Sequence, residues 1–117
     1  TQTVIGCAIE VHRTLGPGLL ESTYQKCLAH ELILENISFA LEYPVAIKYK
    51  GIHLDCGFRI DLFIENRLIL ELKAVEEISG IHQAQLLTYM KLMGINTGLL
   101  MNFNVQRLID GTQRFKL

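Results

Sequence analysis

FRIDLFIENRLILELKAV, residues 58–75, is the stretch from which the architecture can be read. Alternation with period two places Phe58, Ile60, Leu62 and Ile64 on one face and Arg59, Asp61 and Phe63 on the other, as in a strand. After Glu65-Asn66-Arg67 the alternation resumes, with Leu68, Leu70, Leu72 and Ala74 on one side and Ile69, Glu71, Lys73 and Val75 on the other. The segment predicts two antiparallel strands whose charges occupy one face each. Register depends on the turn: three residues between the strands set Asp61 opposite Glu71 with the apolar faces aligned, whereas a two-residue turn breaks the alignment. Directly opposed residues stand roughly 5 Å apart at Cβ. Carboxylates that close need a cation. Lys73 supplies one, and two carboxylates with room for water also form the hard oxygen site that Mg²⁺ prefers.

Upstream, Val45, Ile47 and Tyr49 alternate with Ala46, Lys48 and Lys50, which predicts a half-exposed strand begun or edged by Pro44 and joined to the next through a Lys50-Gly51 turn. The three strands form an antiparallel meander. Before it, Val4, Ala8, Val11 and Leu15 trace a helix stripe over residues 3–15, broken by Gly16-Pro17-Gly18. A second helix is predicted over residues 19–36, with Leu20, Tyr24, Cys27 and Leu28 on one side and Gln25, Lys26 and Glu35 facing solvent. Downstream, Ser79-Gly80 opens a third helix that is apolar enough to be covered and ends at Gly94. The apolar run Thr97–Phe103 predicts a strand buried on both faces, and its position after a crossover helix suits parallel pairing. Residues 111–117 are weakly strand-like. The expected fold is α/β: a central mixed sheet, made of an antiparallel meander plus one strand after a crossover helix, flanked by helices.

With 117 residues, half of them apolar, the chain is predicted to form a single domain, residues 1–117. A formal net charge of -1 rules out a strongly basic coat, so a polyanion would have to be met locally. The three cysteines, Cys7, Cys27 and Cys56, lack the spacing of a zinc or redox motif and read as buried thiols. Neither a run of about eighteen apolar residues nor a basic stretch followed by an apolar signal core is present, so the expected location is the cytoplasm, away from any membrane. His12, His30 and His53 show no ligand spacing and read as surface or hydrogen-bonded core residues.

The spacing of Asp61 and then Glu71-Leu72-Lys73 resembles the core signature of the PD-(D/E)XK nuclease superfamily, although Ile60 stands where the name has proline. Two further stretches resemble motifs of its RecB-like branch: Gly18-Leu19-Leu20-Glu21-Ser22-Thr23-Tyr24 spells the Gly-x-x-Glu-x-x-Tyr (GxxExxY) that names a family of small bacterial proteins, and Gln85-Leu86-Leu87-Thr88-Tyr89 matches Gln-x-x-x-Tyr. The ordered set is far more specific than Glu-x-Lys alone. The resemblance implies a restriction-endonuclease-like core and a metal-dependent nuclease, acting on DNA in preference to RNA. It further implies Mg²⁺, with Mn²⁺ as a substitute, held by Asp61, Glu71 and the carbonyl of Leu72, with Glu21 adding a carboxylate directly or through water. Lys73 would position the attacking water or offset developing charge. Gln85 and Tyr89, one turn apart with His82 on the same side, would orient water, phosphate or a base. A homodimer would set two such sites on one substrate.

Plainer readings exist for each residue. Asp61 and Glu71 could be solvated and paired with Arg59 and Lys73, each pair contributing about a kilocalorie or less. Glu21 suits the first turn of a helix on electrostatic grounds alone. Tyr24, at helical spacing with Leu20 and Leu28, reads as core. Lys48, Lys50, Arg59 and Arg67 fall on the meander near the charged face and could track phosphates or be scattered surface charges. The rival function is a noncatalytic nuclease-like module that binds nucleic acid or a protein. A metal phosphoesterase for small nucleotides would share the site, while the lack of a Gly-rich phosphate loop opposes a nucleoside-triphosphate enzyme.

Overall fold

The structure, a computed structural model, describes residues 1–117. Two helices, α1 (Gln2–Leu15) and α2 (Glu21–Leu34), precede the meander β1 (Phe39–Tyr49), β2 (Ile52–Ile64) and β3 (Leu68–Lys73). Helix α3 (Gly80–Met93) crosses over to β4 (Thr97–Asn102), and a short 3-10 turn, Leu108–Gly111, leads into β5 (Thr112–Lys116). The strands form one sheet in the order β1-β2-β3-β4-β5. Pairing is antiparallel except between β3 and β4, which run parallel as the crossover helix requires. The weakly strand-like tail is a true edge strand.

Helices on both faces explain the apolar runs of β3 and β4. Leu68, Leu70 and Leu72, with Leu99 and Met101, meet α1 and α2 through Val4, Ala8, Leu28 and Leu32. Ile69 and Leu100 meet α3 through Leu86, Tyr89 and Met90. Helix α3 is capped as its sequence predicts: the Ser79 N–H donates to His82 Nδ1 at 3.1 Å, and Gly94 takes the left-handed φ of 68° that ends it. That hydrogen bond gives His82 a capping role.

Both hairpin turns have the predicted lengths. Lys50 and Gly51, each with positive φ, join Tyr49 to its partner Ile52. Three residues, Glu65 to Arg67, separate Ile64 from its partner Leu68, and the Arg67 N–H closes the turn on the Ile64 carbonyl at 3.0 Å.

Tyr24 shows what the glycine-rich break before α2 does. Its ring is fully buried and stacks on Phe103 at 4.5 Å between centroids, while its hydroxyl donates to the Gly16 carbonyl at 2.6 Å and accepts the Leu19 N–H at 3.2 Å. The tyrosine thus latches the loop that delivers Glu21. Tyr24→Phe leaves the carbonyl and the N–H without this partner, so we expect a loss of about 1–2 kcal/mol in a denaturant titration, with the fold retained.

Several expectations require correction. Ile60 does not share a face with Leu62 and Ile64: it packs with Phe63, Tyr89 and Met90 on the α3 side, and Phe58 lies 6.1 Å from the Tyr89 ring. The cause is a break in alternation at Asp61. Leu20 is 75% exposed and lies outside the helix that was to bury it. Gln25 is half-buried and bonded to the sheet, not free in solvent. Cys56 is exposed and Cys27 only half-buried, so Cys7 alone is a buried thiol. Lys48 and Lys50 sit at the far end of the β1–β2 hairpin, Arg59 is paired with Asp55, and Arg67 occupies the turn at the opposite end of β3 from Lys73. These basic residues do not ring the charged face.

Candidate active site

Asp61 occupies the point where the sheet forks. The β2–β3 ladder ends at the pair Leu62–Leu70, and continuing its register by one step would set Asp61 against Glu71. The ladder does not continue: the Asp61 carboxylate swings across, and its Oδ2 accepts the Leu72 N–H at 2.8 Å. On the other side, β1 and β2 keep one register from Phe39–Ile64 through Leu41–Leu62 and from Tyr43–Ile60 to Pro44–Arg59, yet the intervening Glu42–Asp61 pair is missing and Glu42 has a φ of 50°. Both strands change face across this step. Leu62 faces α1 and α2, whereas Ile60 and Tyr43, whose ring lies 5.0 Å from that of Phe63, face α3.

Side chains from α2 take up the backbone freed at the fork. Glu21 and Gln25, one turn apart and so on one helix face, reach the two splayed strands. Glu21 Oε2 accepts the Ala74 N–H at 3.2 Å, just past the end of β3. Gln25 Nε2 donates to the Asp61 carbonyl at 2.9 Å and to Glu42 Oε2 at 3.0 Å. These three residues and Asp61 line an open cavity of about 460 Å³ on the α2 side. Beyond β3, buried Asn102 holds the chain by donating from Nδ2 to the Val75 carbonyl at 2.8 Å and accepting the Val75 N–H on Oδ1 at 3.1 Å.

Glu71 lies on the α3 side and is 5% exposed. Its Oε1 is the one buried side-chain oxygen or nitrogen in the protein without a hydrogen-bond partner. Burial raises its pKa from 4.5 to about 10, the charge of Asp61 adds to the rise, and the charge of Lys73 opposes it. Tyr89, approaching from α3, has its hydroxyl pushed up to about 12 by burial and then by the charges of Glu71 and Asp61. The three ion pairs of the protein are Glu10–Arg13, Asp55–Arg59 and Arg107–Asp110, so the half-buried Lys73 is uncommitted.

Asp61, Glu71 and Tyr89 therefore converge, with Lys73 at the end of the same strand and half-buried Gln85 one turn before Tyr89. Glu21 shares the α2-side cavity with Asp61 and accepts the Ala74 N–H there, whereas Tyr89 packs on the α3 side. No three His, Cys, Asp or Glu side chains form a metal-holding group. The Asp61–Glu71 pair still fits a hard divalent cation. A buried carboxyl oxygen without a hydrogen-bond partner, set beside a second carboxylate, is an arrangement that a bound cation satisfies. Gln25, Glu42 and Asn102 were not foreseen as part of this site. The i, i+4 spacing of Glu21 and Gln25 was the available signal for one of them, and Glu42 and Asn102 carried none.

A mixed five-stranded sheet with helices on both faces, and an Asp and a Glu-x-Lys meeting where two strands part, define a restriction-endonuclease-like α/β protein. The family model of the PD-(D/E)XK nuclease superfamily matches residues 1–115, and the chain belongs to that superfamily. No curated protein and no solved structure matches the chain. No helix is long and apolar enough to cross a membrane.

Proposed function

We propose that this protein is a nuclease of the RecB-like, GxxExxY type that hydrolyses phosphodiester bonds, in DNA in preference to RNA, with Mg²⁺ or Mn²⁺ as cofactor. The observation that carries the reading is the buried Glu71 carboxyl, one oxygen unpartnered, set beside Asp61 where β2 and β3 part. Asp61, Glu71 and the Leu72 carbonyl would hold the metal. When bound, the metal supplies an acidified water and neutralises charge on the scissile phosphate. Lys73, free of any ion pair, orients the attacking water and faces the charge that develops as the new P–O bond forms and the old one breaks. Tyr89 keeps its proton at neutral pH and so donates a hydrogen bond, to water or to a phosphate oxygen. Gln85, on the same helix face, orients the same groups. Glu21 takes part through water from the α2 side.

The test is cleavage of single-stranded DNA, duplex DNA and RNA with and without about 5 mM Mg²⁺ or Mn²⁺, enough to fill a site whose Kd is well below a millimolar. Lys73→Ala should retain metal binding by calorimetry and lose about 10²-fold or more in kcat, as expected for removal of one transition-state contact. Equal loss of binding and cleavage in that variant would place Lys73 outside this role.

Near-neutral charge and the lack of a three-residue metal group favour a second reading, a noncatalytic module that binds nucleic acid or protein. Nucleic-acid binding by the wild type with no metal uptake at millimolar concentration would select it. A homodimer, two active sites facing one substrate, would give the small surface enough grip for the catalytic reading and shows as a doubled mass in sedimentation.

A further inference from the structure

We propose that Gln25 is a positioning residue that sets the Asp61 carboxylate by holding its backbone; this rests on the reading of Asp61 given above. A strand residue is normally held by its ladder on both sides. Asp61 has lost the regular pairing on each: the match to Glu42 is missing from β1, and the ladder to β3 has ended at Leu62. In its place the Gln25 amide spans the gap, donating to the Asp61 carbonyl at 2.9 Å and to Glu42 at 3.0 Å.

The arrangement has a direct consequence for the side chain. With its carbonyl fixed from the α2 side, the Asp61 peptide is oriented so that Oδ2 receives the Leu72 N–H at 2.8 Å, and the same carboxylate acts on Glu71. Glu42 serves as the anchor of the donor: its φ of 50° turns it out of the strand, where its carboxylate meets Gln25. Because Glu21 and Gln25 share a helix face and bond to Ala74 just past β3 and to Asp61 within β2, α2 holds the fork open. Without Gln25, Asp61 would be free to rejoin the regular strand, and its side chain would leave Leu72.

The experiment compares Gln25→Met, which keeps the shape of the side chain and removes the donor, with Gln25→Lys, which keeps a donor for both oxygens. Hydrogen exchange by NMR at the Leu72 amide reports the Asp61 bond without any metal or substrate, and Mn²⁺ calorimetry reports the site. In Gln25→Met the Leu72 amide should exchange at least about tenfold faster while the β3–β4 ladder amides keep their wild-type rates, and Mn²⁺ affinity should drop about tenfold, the lower end for loss of a ligand-orienting partner. Gln25→Lys should restore the Leu72 protection, since its ammonium donates where the amide did, but not the Mn²⁺ affinity, which the added positive charge opposes. Glu42→Ala, at an exposed residue, loosens only the anchor and should speed Leu72 exchange by about threefold, a third of the effect of removing the donor. Unchanged Leu72 exchange in Gln25→Met and Glu42→Ala overturns the proposal, as does equal loosening throughout α2 and β3, which marks Gln25 as ordinary packing. Absence of Mn²⁺ binding to the wild type counts against the nuclease reading alone, since the Leu72 result decides Gln25 by itself.

Discussion

Asp61→Asn is expected to abolish metal-dependent cleavage, by at least about 10³-fold in kcat/KM, while leaving the protein folded. A metal contributes several kilocalories of charge stabilisation in the transition state, and each 1.4 kcal/mol is tenfold in rate. The asparagine amide oxygen still accepts the Leu72 N–H, so the fork keeps the bond that Asp61 Oδ2 makes at 2.8 Å. What disappears is the negative charge that Asp61 brings to the pair. Glu71 provides an internal check, because the charge of Asp61 is the second cause of its raised pKa, after burial. Removing that charge should lower the Glu71 pKa, read by ¹³C NMR of the labelled carboxyl. Retained metal affinity in Asp61→Asn would remove Asp61 from the proposed ligand set.

Glu71→Gln should destroy the same activity and yet stabilise the metal-free protein. In the folded chain burial and the charge of Asp61 raise Glu71 from 4.5 to about 10. Below the lower value both states hold the proton and nothing is lost. Above it the unfolded chain ionises and the folded one does not, so stability falls as pH rises, by up to about 1.4 kcal/mol per unit, until Glu71 ionises in the folded state as well. The metal-free wild type should therefore weaken steadily between about pH 5 and pH 9 in denaturant titrations. Glu71→Gln should lack that slope. At pH 8 its gain should be about 2 kcal/mol, less than the full linkage value because the amide also finds incomplete partners. Mg²⁺ should reverse the order by binding the folded wild type and not the variant. A wild-type stability that is flat across this pH range would mean that Glu71 is hydrated and ordinary.

The elements of this fold were largely legible because local patterns state them. Period-two alternation marked the meander, turn chemistry at Lys50-Gly51 and Glu65 to Arg67 marked its corners, and Ser79 and Gly94 bounded α3. The three-residue turn also carried the register, which is why the approach of Asp61 to Glu71 could be anticipated from spacing. Misreadings arose wherever a side chain bonds across the chain. Alternation assumes an unbroken strand, so it put Ile60 beside Leu62, whereas the step at Glu42 and Asp61 turns Ile60 to α3. A glutamine on a helix reads as solvated, yet Gln25 meets a carbonyl thirty-six positions away.

The sequence by itself determined the strand and helix order, the crossover that makes β4 parallel, and the Asp61 and Glu71-x-Lys73 spacing, because these follow from periodicity and short-range turn geometry. Only the tertiary structure decided that Glu71 is buried with an oxygen left unpartnered, that Glu21 enters the cavity of Asp61 from α2 and is engaged by Ala74, and that Gln25 holds Asp61. Desolvation and long-range hydrogen bonds depend on which surfaces of α2 and α3 close over the sheet, and no spacing along the chain encodes that.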